Sequence, residues 1–194
     1  MPGILQDKVV LITGAGRGIG RSLAEFCCEQ GAIVAAVDIT PINVDPLVSS
    51  LRSKGFRAHA YYHDIAKKVD VQAMVINVQN HLGRIDVLIN CANVNFPGAV
   101  LDIDEWDLHR VFEVNAIGTL LTIQSVGRVM RQQGGGTIIN AISISEQSSS
   151  STLASRGGLV ALNESLQAEL APFGIQVHTC QGANPLENIK KLLM

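Results

Sequence analysis

Charge is scarce in this chain of 194 residues: 16% is charged, with 15 Lys and Arg against 17 Asp and Glu, for a formal net charge of -2. The basic residues are scattered, which argues against a general surface for nucleic acid or anionic membrane, since both need clustered cations. Aromatics make up only 4%, and just two are tyrosines, Tyr61 and Tyr62. The four cysteines, Cys27, Cys28, Cys91 and Cys180, show neither Cys-x-x-Cys spacing nor a loop framework. They read as small core residues in a reducing compartment. The five histidines are equally dispersed and give metal ligation no support, so no metal is expected. No apolar run is long enough to span a bilayer and no signal peptide opens the chain, so the expected location is cytoplasmic, with no membrane or nucleic-acid partner.

Against these absences stands a hydrophobic content of 47%, enough to bury a substantial core in one domain spanning residues 1–194. The stretch that organises the chain runs from Val9 to Gly20, where an apolar run ends in glycines and an amphipathic pattern starts at once. That order predicts a strand, a tight turn and a helix start. Glycines suit such a turn because it demands backbone angles costly for other residues and because a side chain would block a phosphate from approaching the backbone. The helix beginning near Gly18 points free N–H groups and its positive dipole end at whatever fills the turn. The spacing, Gly14, Gly18 and Gly20, differs from the Gly-x-Gly-x-x-Gly fingerprint of many dinucleotide-binding proteins. A second apolar run, Ala32 to Val37, stops at Asp38, an acid placed to accept hydrogen bonds from a ribose 2′-hydroxyl. Asp38 favours NAD(H) over NADP(H), because its charge repels a 2′-phosphate; Arg17, inside the turn, points the other way.

Further strands are expected at Arg57–His63, Ile85–Asn90, Thr137–Ser143 and Ile175–Cys180, with helical stripes between them. Pro41–Lys54 reads as a weaker, peripheral helix broken by Pro46, and 104–132 as one long helix containing Asn115. Strand alternating with helix means an α/β fold, a Rossmann-like doubly wound parallel sheet with right-handed crossovers. Six strands in the order 3-2-1-4-5-6, with helices on both faces, are expected.

Several motifs, in order, resemble those of the short-chain dehydrogenase/reductase family over most of the chain. Thr13-Gly14-Ala15-Gly16-Arg17-Gly18-Ile19-Gly20 is similar to its cofactor turn, Asp38 to its NAD-selecting acid, and Asp64-Ile65 to the pair that contacts adenine. Asn90-Cys91-Ala92-Asn93 keeps the first and third residues of the family's Asn-Asn-Ala-Gly motif. Asn115 and Ser143 resemble the active-site Asn and Ser, with Ser145 competing for the second place. The resemblance implies hydride transfer between a nicotinamide and a small carbonyl or alcohol, by a Tyr acid/base and a Lys one helical turn later. Those two residues are replaced. Ala154-Ser155 lines up with the family's Tyr-x-Ala-Ser-Lys, which puts Thr152 in the Tyr place and Arg156 in the Lys place.

A tyrosine phenol, with an ordinary pKa near 10, is brought toward neutrality by a nearby ammonium, whereas a threonine hydroxyl has no comparably accessible ionisation. Arg156 can still bond ribose hydroxyls and hold positive charge near the nicotinamide. Beyond Cys180, only a short helix is expected within 184–194, so the family's substrate-covering segment and last strand have no counterpart. The resemblance also implies a homodimer or homo-oligomer through the helices 104–132 and 152–173. The leading expectation is an NAD(H)-binding protein with impaired or lost catalysis, with a structural partner subunit of a hetero-oligomer as a further alternative. The alternatives are a working NAD-dependent oxidoreductase whose acid comes from substrate, water or another chain, and a shortened product of a longer reductase gene.

Overall fold

Aliphatic runs without alternation suit strands covered on both faces, and the central strands at Val9–Thr13, Ile33–Asp38 and Val87–Asn90 are such runs. The computed structural model describes residues 3–143, 148–182 and 185–194. Its strands are β1 (Val9–Thr13), β2 (Ile33–Asp38), β3 (Arg57–Tyr62), β4 (Val87–Asn90), β5 (Gly136–Ser143) and β6 (Ile175–Gly182). All pair in parallel, in the order β3-β2-β1-β4-β5-β6. The expected doubly wound, Rossmann-like sheet is thus present. Register brings Thr13 opposite both Val37 and Asn90, and Asn90 opposite Asn140. The chain reverses its direction of travel across the sheet between β1 and β4, which is where such folds place a ligand.

The helices are α1 (Gly18–Glu29), α2 (Pro41–Ser53), α3 (Lys68–Leu82), α4 (Glu105–Phe112), α5 (Thr119–Gln133), α6 (Ser150–Leu170) and α7 (Leu186–Leu193). Leu23 and Cys27 of α1 and Leu47 and Leu51 of α2 pack with Val10, Ile12 and Val34 on one side of the sheet. Met74 and Val78 of α3 and Val126 and Met130 of α5 pack with Leu11, Leu88 and Ile138 on the other.

Three sequence expectations change here. First, α2 runs through Pro46 and is no peripheral connection, because Val44, Leu47, Val48 and Leu51 are all buried. Proline in a helix costs about 3 kcal/mol, and each such buried side chain returns roughly 1.5–3 kcal/mol. Second, the helix expected over 104–132 is divided by a π-helical segment, Glu113–Gly118. There the side chain of Asn115 bridges the backbone N–H and C=O of Val94, and the Thr119 hydroxyl donates to the Asn115 carbonyl. Third, the helix expected over 152–173 begins at Ser150, where Ser149 caps it, and its last turn, Ala171–Phe173, is 3₁₀.

Asp86, just before β4, ties three segments together. Its carboxylate accepts from Val9 N at 2.9 Å and meets Arg84 at 2.6 Å and Lys8 at 3.6 Å. Both cations are half-exposed and stay hydrated without it, so most of the loss on truncation comes from the buried Val9 N–H. Asp86→Ala is expected to lower unfolding stability by about 2–3 kcal/mol. The urea midpoint checks it, and an unchanged midpoint contradicts the assignment.

Candidate active site

A cleft of about 540 Å³ opens along the carboxyl ends of the strands. At its centre is the turn between β1 and α1, where the glycines do different work. A Cβ on Gly14 (φ +63°) would lie 2.6 Å from Ala92 Cα, and one on Gly20 would lie 2.2 Å from the Gly14 carbonyl oxygen. Those two glycines let backbones meet. A Cβ on Gly18 (φ +54°) would find nothing within 4 Å, so this position keeps space open in the cleft. Arg17 and Ile19 line it beside Gly18, and no side chain caps the N-terminus of α1.

Thr13 fixes the opposite wall, because its hydroxyl accepts from the backbone N–H groups of Cys91 and Ala92 at 3.2 and 3.3 Å. Asp38, at the end of β2, also lines the cleft while its two oxygens accept from Gly16 N and Thr40 N. The acid that sequence reading assigned to a ribose therefore also shapes the glycine turn. Asp64 and Ile65 line the cleft beyond it. Arg110 of α4 donates to both Asp64 oxygens at 3.2 Å, a contact 46 residues apart that no motif announced. Next to it, Asp70 accepts from Asp64 N and pairs with His63, and these two bonds hold its carboxyl below the ordinary range.

The other expected site residues separate into two groups. Ser143, Ala92 and Arg156 line the cleft, together with Ser148, which sequence reading did not single out. Asn90, Asn115 and Thr152 do not line it, although Asn90 and Asn115 border a small cavity that shares Ala92 and Arg156 with the cleft. Asn90, at the end of β4, bonds Asn140 and Thr122 inside the fold. Asn115 is 2% exposed and spends its side chain on Val94 and Ser155. Thr152 is fully buried; its hydroxyl donates to Asn95 Oδ1 at 2.8 Å and accepts from Ser149. Ser145 lies outside the described residues.

No tyrosine among the described residues lines the cleft. Tyr61 OH bonds His81, and Tyr62 OH donates to Asp45. Cys91 does line it, but burial pushes its thiol up to about 12, so it is no nucleophile at neutral pH. Among the described residues no group of three or more His, Cys, Asp or Glu could hold a metal ion, and no helix is long and apolar enough to cross a membrane.

Residues 8–184 match a family model described as short chain dehydrogenase. A short-chain reductase protein, NovJ, of Streptomyces niveus is 35% identical over 178 residues, spanning 90% of this chain and 68% of that protein. A 2,3-dihydro-2,3-dihydroxybenzoate dehydrogenase of Bacillus subtilis is 30% identical over 176 residues, 89% of this chain and 67% of that one. An NAD-dependent glycerol dehydrogenase of Listeria innocua is 33% identical, covering 90% and 69%. Among solved structures, a short chain dehydrogenase from Mycobacterium smegmatis superimposes with a TM-score of 0.88 at 27% identity, covering 98% of this chain and 86% of that one.

Proposed function

Because this chain belongs to the short chain dehydrogenase family, we propose that it is an oxidoreductase that binds NAD(H) in the cleft and acts on a small alcohol or carbonyl compound. The observation that carries the reading is the open space at Gly18, framed by the glycine turn and the uncapped start of α1. Backbone N–H groups there fit a pyrophosphate. Asp38 would hold the adenosine ribose, and Asp64 and Ile65 would border the adenine. Arg156, Ser143 and Ala92 would border the nicotinamide half. A nicotinamide bound there supplies or accepts the hydride.

Named relatives are reductases and dehydrogenases, which favours turnover over the lost catalysis that the sequence led us to expect. In this reading the proton reaches the substrate through water or a substrate group, since the Thr152 hydroxyl is committed to Asn95 and Ser149. That same commitment favours a second reading, a dinucleotide-binding protein with little hydride transfer. Asn90 and Asn115 support either one as structural posts around the cleft. Leu108, Phe112, Ile117, Leu153 and Leu162 are exposed on α4, the π-helical segment and α6. They suit pairing of these helices with a second copy in the cytoplasm.

The cofactor choice is tested by comparing NADH with NADPH. The unaltered chain is expected to prefer NADH, and Asp38→Ser to narrow the affinity ratio at least about tenfold, the equivalent of about 1.4 kcal/mol. An unchanged ratio assigns selectivity elsewhere, with Arg17 the first place to look.

A further inference from the structure

The outer edge of the sheet carries a cluster of side chains that the cleft does not use. β3 ends the sheet order beside β2, and its Tyr61 packs in the apolar layer that α3 covers, with Met74 and Val78. His59, two residues earlier, shares that face. Its ring meets the ring of His81, in the last turn of α3, edge-on with centroids 4.5 Å apart, and Tyr61 OH bonds His81 Nδ1 at 3.0 Å. Arg52 arrives from the opposite face. It belongs to the last turn of α2 and reaches round the edge, so that its Nε donates to the Ala58 carbonyl at 2.7 Å and its Nη2 lies 3.4 Å from His59 Nδ1. Four side chains thus hold both helical layers to one strand.

This arrangement requires a neutral His59. A guanidinium can only donate, so His59 Nδ1 accepts and the ring hydrogen is on Nε2. A proton added at Nδ1 removes the acceptor and sets two cations 3.4 Å apart. The titratable or charged groups that face His59 are Arg52 from α2 and His81 from α3, with Tyr61 of its own strand bonded to His81. Burial, His81 and the Arg52 charge all act against protonation and hold His59 below the ordinary histidine value. Among the described residues the histidines in ion pairs are His63, with Asp70, and His109, with Glu105, so no acid offsets these effects. The one acid outside those residues, Glu146, comes after β5, which is four strand positions and about 19 Å from β3. The Tyr61–His81 bond tolerates either state, because a phenol donates to a neutral ring and accepts from a protonated one. The sensitive contact is the one to Arg52.

We infer that the cluster is a proton-sensitive latch: it clamps α2 and α3 to the edge strand β3 at neutral pH, and a proton on His59 releases Arg52 and lets the edge open locally. His59 takes up a proton less readily in the folded chain than in the unfolded one. The stability it lends is therefore present above the unfolded value of about 6.5 and is lost as the pH falls from there through the lower folded value. The opening reaches the cleft, because His63, Asp64 and Ile65, which line it, follow β3 directly. The latch stands whether or not the cleft takes a dinucleotide.

Amide hydrogen exchange on the full chain, expressed as protection over the intrinsic rate at each pH, tests it. Between about pH 7.5 and about pH 5.5 the protection of segment 57–62 is expected to fall at least about fivefold, while that of 9–13, in the centre of the sheet, changes by less than about twofold. His59→Asn keeps an acceptor near the Nδ1 position and does not titrate, so its protection at 57–62 is expected to be the same at both pH values. A ring titration by NMR on the unaltered chain decides independently of whether that variant folds. His59 is expected to gain its proton below the free-histidine value of about 6.5, and a ring that titrates at or above that value overturns the latch. So does protection at 57–62 that holds at the lower pH, that falls no more than at 9–13, or that falls as much in a folded His59→Asn protein as in the unaltered chain.

Discussion

Gly18→Trp is expected to weaken NADH binding at least about a hundredfold, or about 2.7 kcal/mol, while the chain keeps its fold. A side chain at this position meets no protein atom near its base, so the indole enters the cleft instead of the core. The left-handed backbone adds a cost of about 1–2 kcal/mol to the folded state, which a thermal melt would register as a modest downward shift. Gly14→Ala and Gly20→Ala make the contrast. Their added methyl groups would sit 2.6 and 2.2 Å from backbone atoms, so these variants are expected to lose the folded state, not the ligand alone. Three substitutions in one turn thus separate packing from binding. Undiminished NADH affinity in a folded Gly18→Trp protein would place the cofactor somewhere else.

Placing a tyrosine and a lysine where the family has them is expected to have the largest effect on rate. Thr152→Tyr combined with Arg156→Lys should raise NADH-dependent reduction of a small neutral ketone by about 10²–10⁴, the usual contribution of a positioned acid/base. The unaltered chain offers an aliphatic hydroxyl that is fully buried and bonded to Asn95 and Ser149. It has no accessible ionisation near neutral pH. A phenol beside an ammonium has one. The tyrosine needs room that Thr152 does not occupy, so a melting curve accompanies the assay. A folded double variant no faster than the unaltered chain would mean that another group already supplies the proton efficiently.

How far the sequence reveals this molecule follows from how local each feature is. The strands were legible because runs such as Val9–Thr13 and Ile33–Asp38 are apolar on both faces, a pattern with few other uses. The glycine turn, Asp38, and the replacement of the family's Tyr and Lys by Thr152 and Arg156 were legible because each lies in a short, ordered motif. What a side chain faces was harder to read. Asn90 and Asn115 are in the expected segments, yet both turn inward, because the ends of β4 and β5 and the loop at Val94 need polar partners that water cannot reach. The Asp64–Arg110 pair and the Asp86 junction join residues far apart in sequence, so spacing carried no sign of them. Burial of α2 was missed for another reason. Pro46 speaks against a helix locally, and the four aliphatic residues around it decide the outcome only once the sheet is there to receive them.

The central claim is that the cleft between the glycine turn and Arg156 binds a nicotinamide dinucleotide, and direct titration of the purified chain with NADH tests it most plainly. Saturable binding at one site per chain is expected, with enhanced nicotinamide fluorescence and weaker binding of NADPH. Absence of binding at millimolar NADH, by a folded protein, would contradict the account.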